Sequence, residues 1–218
     1  MLITILAVTK AWDDFCIAGM NEKGKWIRPI VSSGSVRFWS REKLIRQGQF
    51  IRCGDVWEIE GYSPSQFQYP NHTEDFVSTD FECYKTLDND ELMKFLKERV
   101  EDEQAFADTV NARKRSLCLV KPNSIFPNVD YWDGKAKPKM RFDGSFDINN
   151  PLTARRDYIV KDCKWSALMV GNISVPKPKE VYLCLGLATP TPYDGIEYPQ
   201  IIGLHTNPPA PFSSNYPD

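Results

Sequence analysis

The sequence has few of the residues from which metal sites and disulfide frameworks are built. It contains two histidines, His72 and His205, and its six cysteines lie more than twenty residues apart, with no Cys-x-x-Cys pair. This spacing suits neither a zinc site nor a dense disulfide framework. Cys118 and Cys184 stand between leucines, so we expect free thiols that pack as small hydrophobic groups, and no bound metal.

Long apolar runs are also missing. No stretch approaches the ~20 apolar residues that a membrane-spanning helix needs. Residues 1–8 lack the basic region and the cleavage site of a secretory signal and are typical of a first strand. Hydrophobic residues make up 42% of the chain and charged residues 26%, as in globular proteins. We therefore expect a cytoplasmic protein without a membrane partner.

The common signatures of catalysis are absent from the sequence. It has no phosphate-binding glycine loop, no nucleophile elbow and no histidine pair. Asp55, Glu58 and Glu60 could be proposed as a nuclease metal site, but the two-residue period of a strand separates Asp55 from the other two. His72, beside Glu74 and Asp75, could act as an acid or base, although turn histidines are more often structural or merely exposed. We expect no catalytic residue and no cofactor, which argues against an enzyme without excluding one.

What the sequence does contain is a succession of short strand patterns, so the predicted fold is mainly β. A tight hairpin is predicted at residues 20–25, where Asn21 and Gly24 supply turn conformations. Asp88 and Glu91 form a capping-box start for one helix, and a second short helix could begin at Ser40. The strands are expected near residues 2–9, 15–21, 24–31, 55–62, 116–121, 139–146, 157–162, 181–188 and 197–204.

The net charge of −2 conceals a division along the chain. Residues 1–53 carry a net charge of +5 and residues 110–179 one of +8, whereas residues 54–109 carry −11 and residues 180–218 carry −4. Two basic stretches flanking an acidic one favour anionic partners for the basic stretches. Ordinary surface charge is the alternative explanation.

Several motifs resemble those of the bacterial dual OB domain family. The similarity begins with residues 15–19 and 24–30 (FCIAG and GKWIRPI) and continues in register over almost the whole chain. Its later motifs are residues 55–59, 72–77, 115–120, 156–162 with Trp165, 181–187 and 198–203. Gly186 stands where the family pattern leads us to expect a serine, and the C-terminal tail is an addition of this chain.

The resemblance implies two OB-like β-barrels in one chain, with one or two short helices between or plugging them. It also implies nucleic-acid binding and an association with bacterial defence systems, and it brings no catalytic residue. We place the first barrel, with an acidic helical insert, at residues 1–110 and the second at residues 111–205. Residues 206–218 contain four prolines and are predicted to form a flexible tail.

OB barrels bind strands with aromatic side chains that stack on bases and with basic side chains that contact phosphates. Trp26 and Arg28 share one face of a predicted strand, so they form either a binding platform or a buried pair. An Arg28 paired with Glu74 or Asp75 would stabilise the barrel instead of binding a ligand.

The segment 131–141 is the stronger electrostatic candidate. Its basic residues fall at the two-residue period and should project from one face of an extended segment, just after two aromatic residues. Pro138 indicates an edge strand or a loop. The candidate contacts here are Tyr131, Trp132, Lys135, Lys137, Lys139 and Arg141. The basic clusters Arg113, Lys114 and Arg115, and Arg155 and Arg156, could extend the same groove.

Three functions remain open at this point. The first is a non-catalytic module that binds single-stranded DNA or RNA and could be the recognition component of a defence or repair system. The second is an interaction or inhibitor subunit that presents the acidic 54–109 segment to a protein partner. The third is a nucleotide-binding or nucleotide-processing enzyme with a pocket between the barrels.

Overall fold

The structure is a computed structural model that describes residues 1–32, 36–46, 48–143, 157–214 and 216–217. Within these residues the chain is built mainly of strands, as the sequence predicts. The first part of the chain forms β1 (Leu2–Ala11), β2 (Asp14–Met20), β3 (Trp26–Ile30), β4 (Ile45–Arg46), β5 (Gln49–Phe50), β6 (Asp55–Tyr62) and β7 (Asp75–Thr86). The second part forms β8 (Leu117–Val120), β9 (Ser124–Trp132), β10 (Lys135–Asp143), β11 (Tyr158–Val160), β12 (Glu180–Leu187) and β13 (Pro199–Asn207).

The first barrel is closed, with the strand order β1-β2-β3-β7-β6. Its strands pair antiparallel except for β3 and β7, which run parallel. The predicted hairpin at residues 20–25 is confirmed: the Asn21 Oδ1 atom accepts hydrogen bonds from the backbone N–H groups of Lys23 and Lys25. Gly24 adopts a φ of 75°, a left-handed conformation that glycine enters without steric cost.

The second sheet repeats this strand order. It runs β8-β12-β13-β11-β10-β9, and β11 pairs parallel with β13, as β3 does with β7. Lys121, Pro122 and Asn123 separate β8 from β9 along the chain. If β8 and β9 are counted as one interrupted strand, both sheets have the order of an OB barrel, in which strand 1 lies next to strands 2 and 4. The predicted pair of OB-like units is therefore confirmed.

Short helices fill the space beside and between the sheets. Helix α1 (Asn89–Arg99) begins with the predicted capping box of Asp88 and Glu91. A 3-10 helix (Arg41–Leu44) occupies the second predicted helical segment, although the Ser40 side chain makes no capping hydrogen bond. Helix α2 (Glu103–Phe106) continues into a π-helical turn (Ala107–Asn111), and helix α3 (Cys163–Val170) follows β11. Phe106 and Trp165 plug the core of the second sheet.

The two units share a core as well as having cores of their own. Leu6 and Met20 of the first barrel, Leu96 of α1 and Tyr182 of β12 pack in one buried cluster. The predicted division near residues 109–115 falls between the two sheets in sequence. The shared core crosses this division. That each predicted domain folds on its own remains a prediction.

Strands β1 and β13 cross in close contact at Leu6. Leu6 is the extra residue of a bulge in β1, and its carbonyl oxygen accepts a hydrogen bond of 2.9 Å from His205 Nε2. Burial lowers the pKa of His205 to about 4, so the imidazole is neutral and donates this hydrogen bond at neutral pH. A Cβ atom at Gly203 would lie 2.1 Å from the same oxygen. Only glycine allows β13 to approach so closely.

Three findings concern features that the sequence predicts to be absent. None of the six cysteines, all of which lie in the described ranges, forms a disulfide, and Cys118, Cys163 and Cys184 are buried. Over the described ranges, no group of three or more His, Cys, Asp and Glu side chains could hold a metal ion. In the same part of the chain, no helix has the length and apolar character to span a membrane.

Several residues in the described parts of the C-terminal segment, 206–214 and 216–217, contact the rest of the chain. Thr206 belongs to β13, and Ala210 is only 4% exposed. Tyr216 packs edge-on against Phe50, with ring centroids 5.9 Å apart, and its hydroxyl donates a 2.7 Å hydrogen bond to the carbonyl oxygen of Ile51. Burial raises the pKa of Tyr216 well above its usual value. The segment is thus attached to the first barrel.

This attachment predicts that Tyr216→Phe lowers stability. The change leaves the Ile51 carbonyl without its partner, which costs about 1–3 kcal/mol and lowers Tm by roughly 2–4 °C per kcal/mol in a chain of this size. Thermal unfolding followed by circular dichroism measures the shift. Tyr193→Phe is the matched control, because Tyr193 is 96% exposed. If both variants melt like the unsubstituted protein, the tail is as loosely held as the sequence predicts.

Candidate nucleic-acid interface

A cleft of about 930 Å³ lies between the two OB-like units. Four loops line it. The β1–β2 turn contributes Trp12, and Lys135 contributes from the end of the β9–β10 turn; His72 belongs to the β6–β7 loop, and Thr189 to the β12–β13 loop. These are the loops between strands 1 and 2 and between strands 4 and 5 of each OB unit, the loops with which OB folds bind oligonucleotides and oligosaccharides. The two units therefore direct their usual ligand-binding ends into one space.

Two buried arginines form one wall of this cleft. Arg28 lies on β3 directly opposite Asp75 on the parallel strand β7, and its Nη1 atom is 3.2 Å from Asp75 Oδ1. Arg37 reaches the other carboxylate oxygen, with Nη2 2.6 Å from Asp75 Oδ2. Both arginine side chains are at most 5% exposed. Asp75 therefore holds two guanidinium groups at the surface of the cleft.

The same network reaches the second unit. Arg28 Nη2 donates a 2.8 Å hydrogen bond to Ser116 Oγ, which in turn donates to Glu74 Oε2 at 2.7 Å. Glu74 also accepts from the backbone N–H groups of Ser116 and Leu117 at the start of β8. Because these acceptors and donors are buried and paired, the ionic wall ties the second sheet to the first barrel.

Two titratable groups in the cleft, His72 and Cys16, are kept in their neutral forms. Burial, with the charges of Arg28 and Arg37, lowers the pKa of His72 to about 2. Burial likewise raises the pKa of the Cys16 thiol. At neutral pH His72 is an uncharged, weak base, and Cys16 is a protonated, weak nucleophile. These environments suit binding better than acid–base or nucleophilic chemistry.

Lysines surround the entrance of the cleft. Lys10, Lys135 and Lys161 line it together with the two arginines, and none of its described lining residues is a carboxylate. Trp12 lies at this rim, 86% exposed, in a turn where it adopts a φ of 61°. An adjoining groove of about 650 Å³ shares Lys10 and Lys161 and adds Lys137. The basic surface thus continues from the cleft onto the β9–β10 hairpin.

The outer face of this hairpin carries cations and aromatic rings side by side. The predicted period is confirmed: Lys135, Lys137, Lys139 and Arg141 alternate with inward-facing residues, among them the buried Met140. Trp132 is 70% exposed, and the Lys137 ammonium lies 4.8 Å from its ring centroid. Arg141 likewise lies 5.4 Å from the ring of its cross-strand partner Phe126, while Lys139 is engaged with Asp130 at 2.6 Å.

Only one of the two hairpin strands lies at the edge of the sheet. Strand β9 is the edge strand, and β10 pairs with it from Lys135 to Asp143. On its other side β10 pairs with β11 at Lys139 and Met140, within the part of the chain that the structure describes. Pro138, which predicts an edge strand, lies just before this short pairing. On the N-terminal side of Pro138, residues 135–137 extend towards the cleft.

A family model for the dual OB-containing domain matches residues 1–204. The chain belongs to the dual OB domain family. A curated protein, NAC domain-containing protein 40 of Arabidopsis thaliana, is 24% identical over 168 residues, which are 66% of this chain and 50% of that protein. The chain thus spans about half the length of this relative. No solved structure matches the chain.

In this dual OB domain, other predicted contacts lie away from the cleft. Trp26 is 2% exposed in the shared core, and its Nε1 atom donates to Glu101 Oε2 at 2.8 Å. Its ring therefore packs inside the protein, which corrects the alternative of a stacking platform. Arg28 is also buried, as the second alternative proposed, but it remains on the cleft wall.

The basic run at residues 113–115 is largely engaged with acidic side chains. Lys114 Nζ lies 3.2 Å from Asp108, and Arg115 Nη1 lies 2.7 Å from Glu101. Neither these two residues nor Arg113 lines the cleft. Arg155 and Arg156 lie outside the described residues, so their contribution remains a prediction.

Sequence reasoning missed four residues of the basic surface, namely Lys10, Trp12, Arg37 and Lys161. Trp12 had a usable signal, because a tryptophan in a predicted strand-to-strand turn has no core to enter. The other three stand in segments without a distinctive pattern. Only the strand order brings them together with Lys135.

The central place of Asp75 predicts a large loss of stability for Asp75→Asn. Removing its charge leaves two buried guanidinium groups without their counter-ion, which costs about 3–5 kcal/mol. Urea unfolding monitored by tryptophan fluorescence measures this difference. Asp90→Asn, an exposed change in the first turn of α1, is the control and should cost less than about 1 kcal/mol. Equal losses in the two variants would contradict a structural role for Asp75.

Proposed function

We propose that this dual OB domain binds single-stranded nucleic acid along a path from the outer face of the β9–β10 hairpin into the cleft. The observation that carries the proposal is the convergence of four OB loops, two from each unit, on a space lined by five cationic side chains and, among the described lining residues, no carboxylate. Such a surface attracts phosphates.

Base stacking would come from the exposed aromatic rings beside these cations. Trp12 stands at the rim of the cleft, and Trp132 and Tyr131 stand at the tip of the hairpin, 70% and 73% exposed. Each stacked base contributes about 1–3 kcal/mol. Stacking on a side chain requires bases that are free of a duplex stack, which favours a single strand. Phosphates and bases are common to DNA and RNA, so the proposal covers both.

The cleft favours binding over processing of a nucleotide. A processing enzyme would need a base or a nucleophile near the ligand. The two candidates in the cleft, His72 and Cys16, are poorly suited to these roles. His72 has a pKa of about 2, and the raised pKa of Cys16 keeps its thiol protonated. The arginines offer charge and hydrogen bonds without accepting protons.

A different surface supports a second candidate function, the binding of a basic protein. On the first barrel Glu58 faces Glu82, and Glu60 faces Asp80, across the antiparallel pair β6–β7. These four carboxylates are exposed or nearly so. Like charges directly opposite each other destabilise a sheet, so a cationic partner would relieve this cost. We also propose that the protein belongs to a defence or repair system, in which it would use both surfaces.

The charges of the hairpin generate the first test. Replacing Lys135, Lys137 and Arg141 by Ala should reduce the slope of log K against log salt by about 2, since each phosphate contact on a single strand contributes about 0.7. Fluorescence anisotropy with a labelled oligonucleotide over a salt series measures the slope. The matched control replaces Lys85, Lys94 and Lys97, three exposed cations near α1, and should leave the slope almost unchanged.

Trp132→Ala should give a different result in the same assay. Loss of a stacked base weakens binding by on the order of 1–3 kcal/mol and leaves the salt slope nearly constant, because no phosphate contact is removed. Tyr193→Ala, another exposed aromatic residue, serves as the control. If the unsubstituted protein binds neither single strands nor duplexes at low salt, the proposed function fails, and the acidic β6–β7 face becomes the surface to test.

A further inference from the structure

Arg37 lines the cleft, and two of its buried donors have no hydrogen-bond partner in the described part of the chain. Its Nη2 atom is engaged with Asp75 and lies 3.4 Å from His72 Nδ1. Its Nε and Nη1 atoms are buried and have no hydrogen-bond partner within the described part of the chain. A buried donor left unsatisfied costs about 1–3 kcal/mol, and more when it is charged. These N–H groups are therefore suited to an acceptor that enters the cleft.

The surroundings of Arg37 favour an anion as this acceptor. Arg28 lies on the same wall, and Asp75, between the two arginines, supplies one negative charge against two positive ones. Other buried carboxylates lie away from the lining: Glu74 is turned to the start of β8, and Glu197 lies 3.4 Å beyond His72 Nε2. His72 itself is neutral at physiological pH. The charged side chains among the described lining residues are all cations.

The size of the cleft indicates what kind of anion it holds. A volume of about 930 Å³ is in the range of pockets for small organic ligands and far larger than a lone inorganic anion requires. Trp12 and Lys135 at the rim provide a stacking surface and a further cation. A phosphate that carries a nucleoside would reach from the arginine wall to this rim.

We propose that Arg37, with Arg28 beside it, binds a terminal phosphate monoester, either at the end of a nucleic-acid strand or on a free mononucleotide. The strand-end form rests on the function proposed above, whereas the mononucleotide form does not. A terminal phosphate carries more negative charge than an internal diester and leaves three oxygen atoms open to donors. It therefore matches the unpaired N–H groups of Arg37 better than the middle of a strand does.

The unsubstituted protein provides the first test. In ¹⁵N-labelled protein, the Arg37 Nε–H resonance, assigned as the arginine signal that Arg37→Lys removes, should shift on titration with adenosine 5′-monophosphate and stay in place with adenosine. Arg52 Nε–H, from an arginine paired with Asp55 at 3.9 Å outside the cleft, is the internal control. Equal responses of Arg37 to the two compounds would overturn the mononucleotide form.

Oligonucleotides of one sequence provide the second test. They carry a phosphate at the 5′ end, at the 3′ end or at neither end. We expect one phosphorylated form to bind about 10- to 100-fold more tightly than the unphosphorylated one, the range for hydrogen bonds to a charged group. Arg37→Gln should abolish this preference, so that the three oligonucleotides bind with equal affinity, while Arg52→Gln should keep the preference. Circular dichroism establishes that each variant is folded, and if Arg37→Gln unfolds, the Nε–H titration decides.

Failure of this inference and failure of the proposed function give different results. If all three oligonucleotides bind equally and Arg37 Nε–H does not respond to the nucleotide, the phosphate site is wrong while strand binding stands. If no oligonucleotide binds but Arg37 Nε–H responds to adenosine 5′-monophosphate alone, strand binding is wrong and the phosphate site stands. The hairpin variant lacking Lys135, Lys137 and Arg141 should bind all three oligonucleotides more weakly, and by the same factor.

Discussion

The ion pair between Arg28 and Asp75 is the interaction on which the rest of the structure depends. The two residues are register partners on β3 and β7, the parallel pair that closes the first barrel. The Nη1 atom of Arg28 donates to Asp75 and joins the two strands that close the barrel. Its Nη2 atom donates to Ser116 at the start of the second sheet. The second oxygen of Asp75 then fixes Arg37. Barrel closure, attachment of the second unit and the cleft wall thus share one carboxylate.

Much of the fold could be predicted from the sequence, because most strands alternate or cluster apolar residues and end at turn residues. The capping box of α1 and the hairpin at residues 20–25 are local signals of the same kind. Two long strands were missed. β7 contains Asp80, Glu82 and Lys85 on its exposed side, and β9 contains Pro127 and Asn128, so both have the composition of loops. Their pairing partners, and not their own propensities, make them strands.

The candidate site could be predicted only in part, for a similar reason. The hairpin residues 131–141 are contiguous, and the two-residue period alone places their charges on one face. The cleft combines Trp12, Arg37, Lys135 and Lys161, which are brought together only by the pairing of distant strands. Arg28 shows the limit most clearly. Its sequence context allows both a binding and a structural role, and the structure has it pair with Asp75 while still lining the cleft.

The repeated strand order explains why equivalent loops of both OB units line one cleft. The loops with which OB folds bind ligands lie at one end of each unit. The crossing of β1 and β13 at Leu6, Gly203 and His205 fixes how the units face each other. If the units were joined by a flexible linker, a ligand spanning both would have to bear the entropy cost of ordering them. Here the shared core and the Arg28–Ser116 contact order them during folding. A ligand of the proposed kind would therefore meet loops from both units already in position, and affinity from Trp12, Arg37 and Lys135 would not be spent on bringing the barrels together.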